Sequence, residues 1–254
     1  MATAKLNGVE IYYEDHGTGY PVVLMHGYGS TSAMWQGQVQ PLAERYRLIT
    51  FDMRGHGSTE SPEDQAAYSE ANTVEDLAAL LRHLGVEQAV IGGLSLGGYM
   101  SLGFNLAHRE MVKALILCDT GPGYRNPKSR EGWNETAFKR AERFEELGLD
   151  ALGRSPEVEA VRKNHRSAAG LAKAARGMLA QFDSRVIESL EGVTVPTLII
   201  VGANDTPFLA GTDYMESKIP NATKVVIADA GHASNIDQPK AFNDAVLSFL
   251  ESVV

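Results

Sequence analysis

Gly93-Leu94-Ser95-Leu96-Gly97 places a serine between glycines two residues to either side, after the apolar run Ala89–Ile91 and before the helix-compatible stretch Gly98–His108. A strand-turn-helix of this kind lifts a hydroxyl above a sheet, because the glycines let strand and helix approach without a Cβ clash. A serine hydroxyl is a weak nucleophile until a base takes its proton. Among seven histidines, His232 in Ala230-Gly231-His232 is the expected base, since it lies just past the last apolar run, where a loop can reach back over the sheet. His26 and His56 sit in glycine-bounded loops, His26-Gly27 and Arg54-Gly55-His56-Gly57, and are expected to orient those loops by hydrogen bonding. His16, His83 and His108 fall at element ends. His165 is expected to be structural too, although it could line a pocket.

The imidazole needs a carboxylate to fix its tautomer and to stabilise its protonated form. Asp205, in Gly202-Ala203-Asn204-Asp205, follows the run Thr197–Val201 and gives the chain order Ser, Asp, His. Asp119 is the alternative acid, because it follows the run that ends at Cys118; otherwise it is expected to cap the turn Thr120-Gly121-Pro122. Asp229 and Asp237 flank His232 too closely to approach its ring easily. A tetrahedral intermediate also needs donors for its oxyanion. The Leu96 amide at a helix start and the Tyr28 amide in His26-Gly27-Tyr28-Gly29 are the expected pair.

The elements that must hold these residues are legible as alternating patterns. Asn7-Gly8 between two alternating segments predicts a β-hairpin over Lys5–Glu14. Short apolar runs suited to buried strands follow at Val22–Met25, Leu48–Phe51, Ala89–Ile91, Ala114–Leu117, Thr197–Val201 and Val225–Ala228. Helical patterns lie between them. In Thr73–Leu84 a capping box at Thr73 and Asp76, a leucine stripe and Gly85 as a stop are expected. Alternating strands and helices imply an α/β domain with a mainly parallel sheet covered on both faces. The interval 124–192 has no convincing strand and reads as a helical cap, inserted into a core made of 1–123 and 193–254. Its helical spacings are Trp133, Ala137, Ala141, Phe144 and then Leu171, Ala175, Met178, Phe182. Trp35, Tyr124, Trp133, Phe138, Met178, Phe182 and Phe208 are the side chains expected to wall a pocket, with core packing at least as fitting for each.

Composition removes several function classes. The formal charge is −9, which opposes a nucleic-acid partner. The longest apolar runs are far short of a membrane span, and Met1–Glu14 lacks the apolar core of a signal peptide. With a single cysteine, Cys118, no internal disulfide forms, and a cytoplasmic location is expected. No spacing of His, Cys or acidic residues suggests a metal. The interval 124–192 holds 13 of the 23 basic residues and 11 of the 32 acidic ones, about +2 against about −11 elsewhere. That asymmetry could dock the cap or attract an anionic substrate, but a solvated face laced with i,i+4 pairs is the plainer account.

The series His26-Gly27-Tyr28-Gly29, Asp52-Met53-Arg54-Gly55-His56-Gly57-Ser58, Gly93-Leu94-Ser95-Leu96-Gly97-Gly98, Gly202-Ala203-Asn204-Asp205 and Ala230-Gly231-His232 resembles the α/β-hydrolase superfamily over nearly the whole chain. Within it the sequence is most similar to small bacterial carboxylesterases and 3-oxoadipate enol-lactonase-like hydrolases. The resemblance implies an eight-stranded, mostly parallel sheet with helices on both faces, a helical cap and no cofactor. It implies a serine hydrolase that cleaves an ester or lactone of a small molecule through an acyl-enzyme, with Ser95, His232 and Asp205 as the triad. Dehalogenases and epoxide hydrolases of this fold carry aspartate at the elbow, and Ser95 sets this chain apart from them. Carbon–carbon hydrolases and cofactor-free perhydrolases use the same triad and are the alternative; a ligand-binding receptor that has lost turnover is a third.

Overall fold

A computed structural model describes residues 1–254. Eight strands form one sheet in the order β1-β2-β4-β3-β5-β6-β7-β8. They are β1 (Ala2–Leu6), β2 (Val9–His16), β3 (Tyr20–Met25), β4 (Tyr46–Phe51), β5 (Ala89–Leu94), β6 (Val112–Cys118), β7 (Thr197–Gly202) and β8 (Ala222–Ile227). β2 runs antiparallel to β1 and β4, and every other pairing is parallel. Asn7 and Gly8 both take positive φ, as the tight hairpin turn requires. No helix is long and apolar enough to cross a membrane.

Strand residues divide between two cores by the two-residue period of a pleated sheet. Val23, Met25, Ile91, Leu115, Leu117 and Ile199 face one side, where they meet α2 (Glu70–His83) and α3 (Leu96–Ala107). Val22, Leu24, Val90, Ile116, Leu198 and Ile200 face the other. There Leu42 of α1 (Gln36–Ala43) joins Phe242, Val246 and Leu250 of the last helix, Pro239–Val253. Between β6 and β7 the chain is helical and contains no strand. The long α4 (Pro127–Leu147) buries Ala137, Ala141 and Phe144, as the spacing predicts.

Two local expectations fail for identifiable reasons. α2 begins at Glu70, not after Thr73, because the Ser69 side chain accepts from the Asn72 amide and caps the helix there. Asp76 is therefore free of capping and instead grips Arg54 through Nε at 2.5 Å and Nη2 at 2.7 Å. The second spacing ends early: helix Ala168–Ala174 runs into a wider π turn over Ala175–Leu179, and the backbone extends at Ala180. Phe182, 68% exposed, is thus off the packed face.

Arg54 and Asp76 are both buried, so removing one partner strands a charge. Asp76→Ala is expected to cost about 3–5 kcal/mol of stability, against about 1 kcal/mol for Ser69→Ala. Urea unfolding of the two variants checks the ranking.

Candidate active site

The turn from β5 into α3 forces Ser95 to φ 54° and ψ −113°, a conformation that side chains rarely adopt. The surroundings enforce it. The Ser95 amide donates to Cys118 O at 2.9 Å, and its carbonyl accepts from the Tyr99 amide at 3.0 Å and the Thr120 hydroxyl at 2.6 Å. A Cβ on Gly93 would fall 2.6 Å from the Gly97 and Met25 backbones, and one on Gly98 would fall 2.6 Å from Thr120 Cγ2. The glycines are therefore required by close approach. Ser95 Oγ makes no hydrogen bond within the protein and faces a cavity of about 610 Å³ shared with Tyr28, Asp205 and His232. Catalytic contacts of this kind often tighten only when substrate binds.

Asp205 follows β7 at the start of helix Thr206–Lys218, and His232 lies on the loop after β8. His232 Nδ1 donates to Asp205 Oδ2 at 2.8 Å, which leaves Nε2 as the lone-pair nitrogen of the neutral ring. The Phe208 ring stacks on the imidazole at 4.7 Å. Burial opposes protonation of His232, but the hydrogen bond and charge of Asp205, with the charges of Asp119 and Glu157, outweigh it and raise the pKa above the ordinary histidine value. The Tyr28 and Leu96 amides make no hydrogen bond with the protein. Gly27 brings the first of them close, since a Cβ there would meet Leu94 Cδ2 at 3.2 Å and Ser95 Cβ at 3.5 Å.

Asp119 does not reach the imidazole and does not cap the turn after it. Its Oδ1 accepts from the Gly202 amide at 2.8 Å, and its Oδ2 from the Ser234 hydroxyl at 2.5 Å and amide at 3.3 Å. It thus ties together the loops that carry Asp205 and His232. Burial pushes its carboxyl up to about 7, against the pull of those hydrogen bonds.

The other histidines hold loops. His26 accepts from the Met53 amide at 2.9 Å and donates to Gly27 O at 2.8 Å. His165 lies outside the pocket and accepts from the Gly57 amide while donating to Gly29 O, linking the helical segment to both loops. Burial depresses both to about 4, so both are neutral near pH 7. His56, tilted against both rings, is lowered as well, first by burial. Asp237 accepts from the Gly231 amide and so braces the His232 loop.

A second lobe of about 280 Å³ meets the first at Ser95 and is walled by Tyr99, Tyr124, Trp133, Leu179 and Phe208. Of the expected wall residues, Tyr124, Trp133 and Phe208 face the cavity. Trp35 and Met178 are core residues, Phe138 packs against the core, and Phe182 is exposed. Glu157, Gln181, Arg140, Arg143 and Arg154 also line the site; nothing in their local sequence distinguishes them.

The alpha/beta hydrolase family profile matches residues 22–245. The chain belongs to this family. It is 30% identical to 3-oxoadipate enol-lactonase 1 of Acinetobacter baylyi, with 91% of this chain and 89% of that one covered. A thermophilic esterase from Thermogutta terrifontis, solved with malate bound, superposes with TM-score 0.87 at 31% identity, covering 100% of this chain and 99% of that one. The enol-lactonase from Burkholderia xenovorans gives 0.81 at 26%, covering 98% and 100%. Esterases and enol-lactonases are thus among the relatives of this alpha/beta hydrolase.

Asp119→Asn removes one charge that supports the protonated His232. The rising limb of kcat/KM is expected to move to lower pH, with kcat within about tenfold of wild type. Asp119→Ala, which leaves the Gly202 and Ser234 donors unsatisfied, is expected to lose a further 1–3 kcal/mol or so of stability. pH–rate profiles and thermal unfolding separate the two effects.

Proposed function

We propose that the protein is a serine carboxylesterase or lactonase that acts on a small ester through an acyl-enzyme. The observation that carries this reading is the meeting of two lobes at Ser95, whose unbonded hydroxyl shares them with an imidazole oriented by a buried carboxylate and with the residues of two unpaired amides, Tyr28 in one lobe and Leu96 in the other. Residues 124–192 act as its cap and supply the outer walls.

Ser95 Oγ attacks the substrate carbonyl as His232 Nε2 takes its proton. The carbonyl oxygen becomes an oxyanion, to which the Tyr28 and Leu96 amides donate; the latter starts α3, where the helix dipole adds to the attraction. Collapse breaks the bond to the alcohol, which leaves with the proton from His232. Water then attacks the acyl carbon with His232 again as base, and the acid departs while Ser95 recovers its proton. Asp205 holds Nδ1–H throughout and stabilises the imidazolium. The relatives that hydrolyse esters and enol-lactones support this substrate class.

Hydrolysis of p-nitrophenyl esters, γ-lactones and enol-lactones by wild type and variants tests the reading. Ser95→Ala is expected to abolish acyl-enzyme turnover. Asp205→Asn is expected to lower kcat by about 10³–10⁴ with little change in thermal midpoint, the scale of a wrong imidazole tautomer. His232→Ala should erase the acid limb, whose apparent pKa lies above the ordinary value of about 6.5. Cleavage of β-diketones, or peracid formation, at higher kcat/KM than any ester or lactone would replace the reading with the carbon–carbon hydrolase or perhydrolase alternative.

A further inference from the structure

The loop that carries the Tyr28 amide is held from two sides. From the core, His26 Nδ1 and the Ser30 amide both donate to Gly27 O, at 2.8 and 3.1 Å. From the other side, each of the next four residues bonds to the helical segment. The Tyr28 hydroxyl donates to Leu171 O at 2.9 Å, and Gly29 O accepts from His165 Nε2 at 2.9 Å. Ser30 Oγ donates to Glu157 O at 3.0 Å, and Thr31 Oγ1 accepts from Asn164 Nδ2 at 3.5 Å. Every hydrogen bond that residues 28–31 make outside 27–34 ends on this segment. The Tyr28 ring is held too, between His56 of the core and Phe144 and Arg140 of α4.

The other parts of the site are anchored by the core. Ser95 is held by Cys118 and Thr120, and Leu96 opens α3, where a Cβ on Gly97 would collide with Met25 O. Asp119 ties the Asp205 and His232 loops together. Within the clamp on residues 28–31, His165 does the most. It is 6% exposed, and its ring bridges two loops, with Nδ1 accepting from the Gly57 amide at 3.3 Å while Nε2 donates to Gly29 O. The neutral ring has one donor and one acceptor, and both are used. Gly29 takes φ 73° and has no side chain of its own to hold it there. Without the imidazole, the Gly29 carbonyl loses its donor and the turn is loosened at the end away from the sheet.

We propose that the helical segment is a working part of the oxyanion site: seated on residues 28–31, it holds the Tyr28 amide at the reacting carbonyl, and His165 is the positioning residue of that contact. A substrate that lets the segment seat fully has the donor in its transition state, whereas one that props the segment off the core loses it. Fit in the lobes is thereby expressed in kcat more than in KM. The assignment rests on the hydrolase reading, because it concerns one of the two donors named there.

His165→Leu, Ser30→Ala and Tyr28→Phe each cut one bond of the clamp and leave the Tyr28 amide and the triad in place. His165→Gln is the conservative variant, since its amide retains a donor for Gly29 O. On p-nitrophenyl acetate, His165→Leu is expected to lower kcat by about 10- to 100-fold, less than outright loss of a donor, with KM within about threefold. An aryl trifluoromethyl ketone, which Ser95 Oγ converts to a hemiketal oxyanion, should inhibit more weakly by a like factor, while the acid limb of the pH–rate profile stays in place. His165→Gln should recover most of both losses, and Ser30→Ala and Tyr28→Phe should show the same parallel loss at about three- to tenfold. Unchanged kcat in all three clamp variants, or a lowered kcat with unchanged ketone inhibition, overturns the proposal. Should His165→Leu fail to fold, the other two decide by the same readouts. Amide exchange of the ligand-free variants is independent of turnover: faster exchange at Ser30, beyond any change at Ile116 in β6, upholds the clamp even if no ester is hydrolysed and the hydrolase reading falls. Equal changes at the two amides overturn it.

Discussion

The left-handed backbone at Ser95 is the constraint on which the rest of the site depends. A side-chain residue held there costs on the order of 1–3 kcal/mol, and it persists because β5, α3 and the Thr120 turn leave it no alternative. The Thr120 hydroxyl holds the Ser95 carbonyl, and the Cys118 carbonyl holds its amide. Both partners belong to β6 and the turn after it, so Ser95 is fixed by the neighbouring strand as much as by its own turn. The Leu96 amide that follows has no partner in the protein and Leu96 lines the same lobe as Ser95. In the proposed reaction one strained turn thus supplies both the nucleophile and an oxyanion donor.

His232 and Asp205 are positioned by a second polar network, centred on a carboxylate that does not touch the imidazole. Asp119 itself takes positive φ, 47°, at the end of β6, and from there it receives the Gly202 and Ser234 donors. Gly202 precedes Asp205 by three residues and Ser234 follows His232 by two. Burying a carboxylate is costly unless it is hydrogen-bonded, and these donors oppose the rise in its pKa. The arrangement places two acidic groups within electrostatic reach of one imidazole, only one of them in contact. The raised pKa of His232 follows from that combination, and the proposed reaction requires the imidazole to have lost its proton.

Most of the framework was readable from local pattern. The Asn7-Gly8 hairpin, the elbow and the central strands each depend on residues close in sequence and occur as expected; β8 is the exception, an edge strand in which only Ile227 is buried and Val226 is 51% exposed. The pairing of Asp205 with His232 is legible too, because each follows a recognisable strand at the end of the sheet that carries the elbow, and a hydrogen bond joins them. What could not be read depends on distant partners. Asp119 contacts residues 83 and 115 positions away, so its task was invisible beside the turn it precedes. Asp76 has the spacing of a cap, and only the fold brings Arg54 against it. Phe182 continued a helical spacing that a π turn ends, where Gly177 packs against the Tyr68 carbonyl too closely for any side chain.

The central claim is covalent: the acyl group passes through Ser95 Oγ. Rapid acid quench of wild type with p-nitrophenyl acetate, followed by peptide mass spectrometry, tests it most directly. The account predicts a burst of p-nitrophenol equal to one per active site and an acetyl group on the peptide that contains Ser95. Turnover without a burst, with the acetyl group absent from Ser95 or found on another residue, would contradict it.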